Sequence, residues 1–348
     1  MLIGFTYDLR ADYLEMGYSP EETGEFDSEE TIIHLQNAIE SFGHKVVRIG
    51  NIYSLSKRLI AGERWDMVFN ICEGMYGRSR EAQVPALLEA YNIPYTFSDP
   101  LTLAVGLDKQ VTKKLVRQAG IKTPEAILVQ DYFHFRSLEA SLFEDKFDLF
   151  VKPNHEGTGK GIDAKAIAHN MAELTSAVRR CYSSCNQPVL IEKSLPGREY
   201  TVGVIGTGTV ARAVGMMEIR LLGNADPNVY TFMNKELCEE RVKYIPVTDK
   251  KLLTKANAIS LKAYNALGCR DAGRVDLKEN EDGELEFLEI NPLPGLHPTH
   301  SDLPMLCAFN GMDHRTLIGE ILHSAILRAE GGQANEAKGE GRKSKARA

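Results

Sequence analysis

Asp276, Glu289 and Asn291 are three oxygen donors in the run RVDLKENEDGELEFLEINPLPG, residues 274–295, at positions where a strand ordinarily carries Val or Ile. Asp282-Gly283 is a strong two-residue hairpin signal, and the runs on either side alternate apolar and polar. With those two residues as the turn, Glu281 faces Glu284, Asp276 faces Glu289 and Arg274 faces Asn291. The last four then share one face, while Val275, Leu277, Leu288 and Ile290 form an apolar face for a core. Carboxylates directly opposed on a sheet repel unless a cation lies between them. Two carboxylates beside an amide oxygen suit Mg²⁺, which binds few protein groups and completes its shell from water and phosphate. The same spacing also fits a solvated polar strand face with Arg274 as a simple counter-ion.

Upstream, VKPNHEGTGKGI at residues 151–162 sets Lys152 on a strand and follows it with a loop carrying Gly157, Thr158, Gly159 and Gly161. Glycines let backbone N–H groups approach a phosphate closely. The run is not a Walker A loop, because Asn154 stands at its first glycine and Gly161 at its final Ser/Thr. It reads either as a hairpin tip folding over a nucleotide, with Lys152 reaching the phosphates, or as a mobile surface hairpin. In PVLIEKSLPGREYTVGVIG, two strands flank a Leu-Pro-Gly turn; Glu192 to Leu195 can offer backbone groups to an adenine edge and Glu199 can take a ribose hydroxyl. GVIGTG has no following helix and reads as strand and turn. Lys243 and Tyr244, in ERVKYIP, read by themselves as a surface lysine beside a packed tyrosine.

These residues need elements to hold them. The first hundred residues alternate short strands (LIGFTYD, HKVVRIG, MVFNI, IPYTF) with helical stretches, the pattern of a parallel sheet flanked by helices. Ser98-Asp99-Pro100 starts a helix that runs through LTLAVGLDKQVTKKLVRQAG to Gly120. Residues 1–106 form one α/β unit, 107–192 a second with strands AILVQ, DLFVKP and PVLIEK, and 193–330 a third containing the hairpin. Residues 331–348 lack apolar periodicity, end basic and are expected to be disordered.

The chain of 348 residues is long enough for two or three domains. Its 43% hydrophobic and 26% charged residues are ordinary for a soluble globular protein, and a net charge of −7 gives no support to a nucleic-acid surface. No run is long enough to span a membrane and no signal peptide is evident, so a cytoplasmic location is the default. The six cysteines form neither a CxxC pair nor a Cys/His zinc spacing.

Taken in order, DKxxTK at residues 108–113, VKPxxEGTGKGI, IEKSLPGREYTV, VKY, GRVD and LEINPLPG resemble the ATP-grasp superfamily, and within it the D-alanine–D-alanine ligase family, over roughly residues 69–327. The resemblance implies a three-domain α/β fold with ATP held between the central and C-terminal domains. It implies that Lys109 and Lys152 contact the phosphates, that Glu192, Lys193 and Leu195 line the adenine pocket, that Glu199 binds ribose and that Lys243 meets the terminal phosphate. Gly157, Thr158 and Gly159 belong to the covering loop. Asp276, Glu289 and Asn291 hold two Mg²⁺ ions, for which Mn²⁺ can substitute. Arg274 stabilises charge at the reacting carboxyl, Ser301 holds a substrate carboxylate, and Tyr244 belongs to a closing loop. The implied reaction joins the carboxylate of one amino acid to the amine of another through an acyl phosphate, in an enzyme that is usually a homodimer.

The departures lie on the acceptor side. The family's N-terminal Glu-Arg-Glu-Val-Ser-like run is missing, with Asp27, Glu29 and Glu30 as open alternatives to its glutamate. NICEGMYGRSREAQ replaces the His-Gly-Xaa-Xaa-Gly-Glu-Asp run, Thr158 stands where a serine is usual, and LPGLHPTHS is two residues longer than the common form. A ligase making a specialised dipeptide or amide and a non-catalytic nucleotide-binding regulatory module are the alternatives.

Overall fold

The computed structural model describes residues 1–138, 143, 147–223, 225, 231, 233–234 and 237–345, with side chains to residue 331 apart from Cys238. Three sheets follow one another along the chain. In the first, β1 (Leu2–Thr6) lies between β2 (Lys45–Gly50) and β3 (Met67–Asn70), all parallel. The helix Glu29–Glu40 packs on it; Ser28 caps that helix by accepting from the Thr31 N–H, and Ile32, Leu35 and Ile39 recur at helical spacing and are fully buried. IPYTF, expected as a fourth strand, contributes only a single bridge between Tyr95 and Val68.

The second sheet has the antiparallel order β4-β7-β5-β6, from β4 (Ala126–Val129), β5 (Leu149–Pro153), β6 (Ile167–Ala168) and β7 (Val189–Lys193). The third runs β10-β9-β8-β11-β12, again antiparallel, from β8 (Glu199–Ile205), β9 (Arg212–Leu221), β10 (Val242–Pro246), β11 (Ala272–Glu279) and β12 (Leu285–Asn291). Among the described residues no helix is long and apolar enough to cross a membrane.

Two expected elements differ. The single helix expected over residues 101–120 is two, Pro100–Leu107 and Lys109–Gln118, broken at Asp108. Asp108 is extended, and its carboxylate accepts from the Val111 N–H, so a side-chain cap outcompetes helix continuation at that point. The hairpin turn is longer than two residues: Glu279 pairs with Leu285, and the Asn280 side chain accepts from the Asp282 and Glu284 N–H groups. A β-bulge at Leu288 then restores the register, so Asp276 does face Glu289 and Arg274 faces Asn291. The bulge also turns Leu288 out of the apolar face, where fully buried Phe287 takes its place.

The last helix, His314–Lys345, extends into the tail expected to be disordered. Residues 346–348 lie outside the described residues. The first turns of this helix return to the N-terminal sheet, where Leu317, Ile318 and Ile321 join Ile3, Phe5, Ile32 and Leu35 in one core cluster. Removing three carbons from that core leaves a cavity as well as lost burial, so Ile321→Ala is expected to cost about 2–5 kcal/mol in urea unfolding. A loss under ~1 kcal/mol would mean that the C-terminal helix is not integral to the first unit.

Candidate active site

Lys109, Lys152, Glu192 and Lys113 meet where the second and third units face each other. Lys152 is on the middle of the second sheet and Lys109 opens the helix after Asp108. The Glu192 carboxylate lies between the Lys152 and Lys113 ammonium groups at 2.6 and 2.9 Å, and all three side chains are almost wholly buried. Burial opposes the Glu192 charge, but the two lysines outweigh it and hold its pKa down. Lys113 is pushed down to about 8 by burial, only partly offset by Glu192, whereas for Lys152 the attraction of Glu192 and then Glu289 wins and its pKa is raised. Lys113 was assigned no part in the sequence reading, although its position at the end of DKxxTK was the available signal. Glu192, expected at an adenine edge, carries the charge balance for both lysines.

The hairpin supplies the other half. Arg274 grips Asp276 through two nitrogens, at 3.0 and 2.9 Å, and reaches Asp302 at 2.7 Å, while Asn291 donates to Asp276 at 3.3 Å. The Thr201 hydroxyl completes the contacts of Asp276. Burial raises the Asp276 pKa; Arg274 counters this and Glu289 adds to it. Glu289 is held by the Lys109 ammonium at 3.1 Å. The opposed carboxylates are therefore each compensated by a side-chain cation. Removal of Asp276 would strip Arg274 of a buried bidentate partner rather than simply relieve repulsion.

Lys109, Lys152, Glu192, Arg274, Asp276, Glu289 and Asp302 line a cleft of about 100 Å³ that also includes Gly157, Gly159, Leu195 and Glu199, together with Lys193 at its edge. That is smaller than the ~300–1,000 Å³ of typical ligand pockets, so a sizeable ligand must displace ion pairs such as Lys109–Glu289 to enter. A second cleft of about 550 Å³ is lined by Thr158, Tyr244, Asn291 and Ser301. The two clefts share Lys109, Glu156, Gly157, Arg274 and Asp302, and so meet at these residues. Ser301 caps the helix Asp302–Phe309 and accepts from the His297 N–H; a Cβ at residue 295 would stand 2.8 Å from its hydroxyl, which is why glycine precedes it.

Lys243 is the expected site residue that the structure does not bring in. It is exposed and lines neither cleft, because successive residues of β10 point to opposite faces and Tyr244 takes the inward one. Of the open N-terminal alternatives, Asp27 and Glu30 line the larger cleft, whereas Glu29 pairs with Arg48 at the surface.

Glu25 was not anticipated at all. Its carboxylate accepts from the Gly157 N–H at 2.9 Å and pairs with Arg80 and Lys160 at 2.9 and 3.1 Å, tying the N-terminal unit to the glycine loop. Thr158 and Gly159 in that loop have φ of 48° and 73°, a left-handed backbone that glycine adopts without cost. Asp276, Glu289 and Asn291 provide two carboxylates and an amide, a hard oxygen set compatible with Mg²⁺ when phosphate supplies further ligands. Among the described residues no group of three or more His, Cys, Asp or Glu side chains is placed to hold a metal without such help.

Three α/β units with the clefts at their junction define an ATP-grasp fold. Residues 115–323 match the family described as D-ala D-ala ligase C-terminus. Uncharacterized protein y4sG of Sinorhizobium fredii is 34% identical over 264 residues, 75% of each chain. A D-alanine–D-alanine ligase of Alcanivorax borkumensis is 34% identical over 263 residues, 74% of this chain and 77% of its own. The solved D-alanine–D-alanine ligase from Bacillus anthracis complexed with ATP shares the fold, with a TM-score of 0.72 at 23% identity, covering 95% of this chain and 99% of that one. The chain belongs to the D-alanine–D-alanine ligase family, whose members are ATP-dependent ligases forming a C–N bond.

Burial opposes the Glu25 charge, but Arg80 and Lys160 outweigh it and hold its pKa at about 2, against 4.5 in the unfolded chain. A depressed carboxylate contributes stability above its unfolded pKa and loses it as pH falls through the folded value, on the order of 3 kcal/mol in full. Glu25→Gln is expected to be less stable than the parent at pH 6, with most of that gap gone at pH 3, in paired urea melts. A gap of constant size across that range would show that the pairing of Glu25 contributes nothing.

Proposed function

We propose that this chain activates the carboxylate of one amino acid with ATP and couples it to the amine of a second, through an acyl phosphate. The observation that supports this reading best is the junction of the two clefts at Lys109, Arg274 and Asp302, since phosphoryl donor and acceptor must meet there. Lys109 and Lys152 are suited to neutralise phosphate oxygens, with Lys193, Leu195 and the backbone after Glu192 beside the base and Glu199 near the ribose. Gly157, Thr158 and Gly159 cover the phosphates with backbone N–H groups.

Asp276, Glu289 and Asn291 would hold Mg²⁺, or Mn²⁺ in its place, and the bound metal would neutralise charge on the transferring phosphoryl group. Arg274 is held rigidly by its two carboxylates, so its guanidinium is already oriented for the oxyanion that forms when the amine attacks. Ser301 and the N-terminus of the helix that follows it suit a substrate carboxylate, because the helix N-terminus favours negative charge. Tyr244 faces the same cleft as part of its wall. The amine attacks the acyl carbon, the C–N bond forms, and phosphate leaves with the electron pair of the C–O bond. Closure of the clefts excludes water, which would otherwise hydrolyse the acyl phosphate. A cytoplasmic location, where ATP is plentiful, and a homodimer complete the reading.

ADP release that requires added amino acid, with a product mass equal to the two substrates less water, is the test. ADP release indifferent to every amino acid would defeat the proposal. For the metal role, Glu289→Gln is expected to lower turnover ~100-fold or more, together with some loss of melting temperature because Lys109 loses its carboxylate partner. Unchanged turnover at saturating Mg²⁺ and ATP would remove Glu289 from the metal site.

A further inference from the structure

The larger cleft carries more negative charge than its cations balance. Glu25 is committed to Arg80 and Lys160, and Glu156 to the same two cations. Arg274 is committed to Asp276 and Asp302, and Lys109 to Glu289 and the Glu156 carbonyl. Asp27 keeps a hydrogen bond from the Thr31 side chain and Glu30 lies at the exposed rim beside His34 and His297, whereas Glu73 and Glu81 line the cleft from NICEGMYGRSREAQ. Neither side chain makes a hydrogen bond or ion pair with any described residue, and Glu81 is only 8% exposed. Burial raises the pKa of both, Glu81 to about 7, and Glu81 is the charge that acts most strongly on Glu73.

A carboxyl shielded from water and without a partner is expensive to ionise, so it stays neutral until a ligand brings a positive charge to it. If the site takes amino acids, as proposed above, one α-ammonium can satisfy one of these two groups. The other still lacks a cation. We propose that one substrate of this enzyme bears a second positive charge, an ammonium or guanidinium side chain received by Glu73 and Glu81. This rests on the ligase reading and extends it to substrate class.

The test titrates the full chain, saturated with ADP and Mg²⁺, with the D- and L-forms of lysine, arginine, norleucine and alanine. Norleucine matches the lysine stem without its charge. One chirality of lysine or arginine is expected to bind ~10-fold or more tightly than norleucine, the effect of a single charge-assisted hydrogen bond. Glu81→Gln and Glu73→Gln should each bring that ratio close to one while ADP affinity stays as in the parent. Their melting temperatures should not fall, because neither side chain has a protein partner to lose. Equal binding of lysine and norleucine, or a ratio that survives in both variants, overturns the proposal. ADP release from ATP separates the two readings. Preferred lysine binding without ADP release for any pair leaves the cation site standing and defeats the ligase reading. Release as fast with alanine or norleucine as with lysine leaves the ligase and overturns the cation site.

Discussion

Arg274 between Asp276 and Asp302 is the constraint on which the site depends. The guanidinium reaches along its own strand to Asp276 and across to the first residue of the helix Asp302–Phe309, so one side chain locks a sheet to a helix. Both clefts open onto it. Burial penalises the Arg274 charge, yet Asp276 and then Asp302 more than compensate and push its pKa above the ordinary value. An arginine held at three nitrogens by two carboxylates has little rotational freedom left, and its orientation is settled before any ligand arrives.

The same logic runs through the narrow cleft. Lys109 on Glu289, and Lys113 with Lys152 on Glu192, are buried pairs whose desolvation cost is tolerable only because each charge has a close partner. On the proposed reading, a polyanionic ligand would offer the lysines better partners and simultaneously free Glu289 for a cation. Ligand entry is then an exchange of ion pairs rather than a filling of empty space, which reconciles a cleft of about 100 Å³ with so many convergent charges.

What the sequence disclosed and what it hid follow from the range of the interactions. The face shared by Arg274, Asp276, Glu289 and Asn291 was legible from strand alternation, but the reasoning reached the right register through two offsetting departures, a longer turn and a bulge at Leu288. Asp108 looked like a mid-helix residue because its apolar periodicity continues on both sides; only the tertiary contacts with Arg78, Asn154 and His155 show why a cap there is preferred. Lys243 and Tyr244 are adjacent in sequence and opposite in space, a distinction that needs the face of the sheet to be known. Glu25 sits in a loop and Glu81 in the short 3₁₀ helix Arg80–Ala82, neither long enough to show periodicity, and nothing local reveals that Arg80 would bridge to the loop of Glu25.

That bridge links two of the loops in which departures from the family pattern fall. Arg80 belongs to the first unit, Glu156 to the second and Glu25 to the N-terminal loop, yet they form one buried ionic cluster with Lys160. A change in any one charge alters the balance for the rest, so these loops can be rewritten only together. Lys109, Lys152 and Glu192, proposed above to face the nucleotide, belong instead to strands and a helix start outside that cluster, although the glycine loop is bonded to it through Glu25. A fold of this construction can hold its ATP chemistry constant while the charge of its larger cleft drifts, because separate ion-pair clusters govern the two halves and touch only at Lys109, Glu156, Gly157, Arg274 and Asp302.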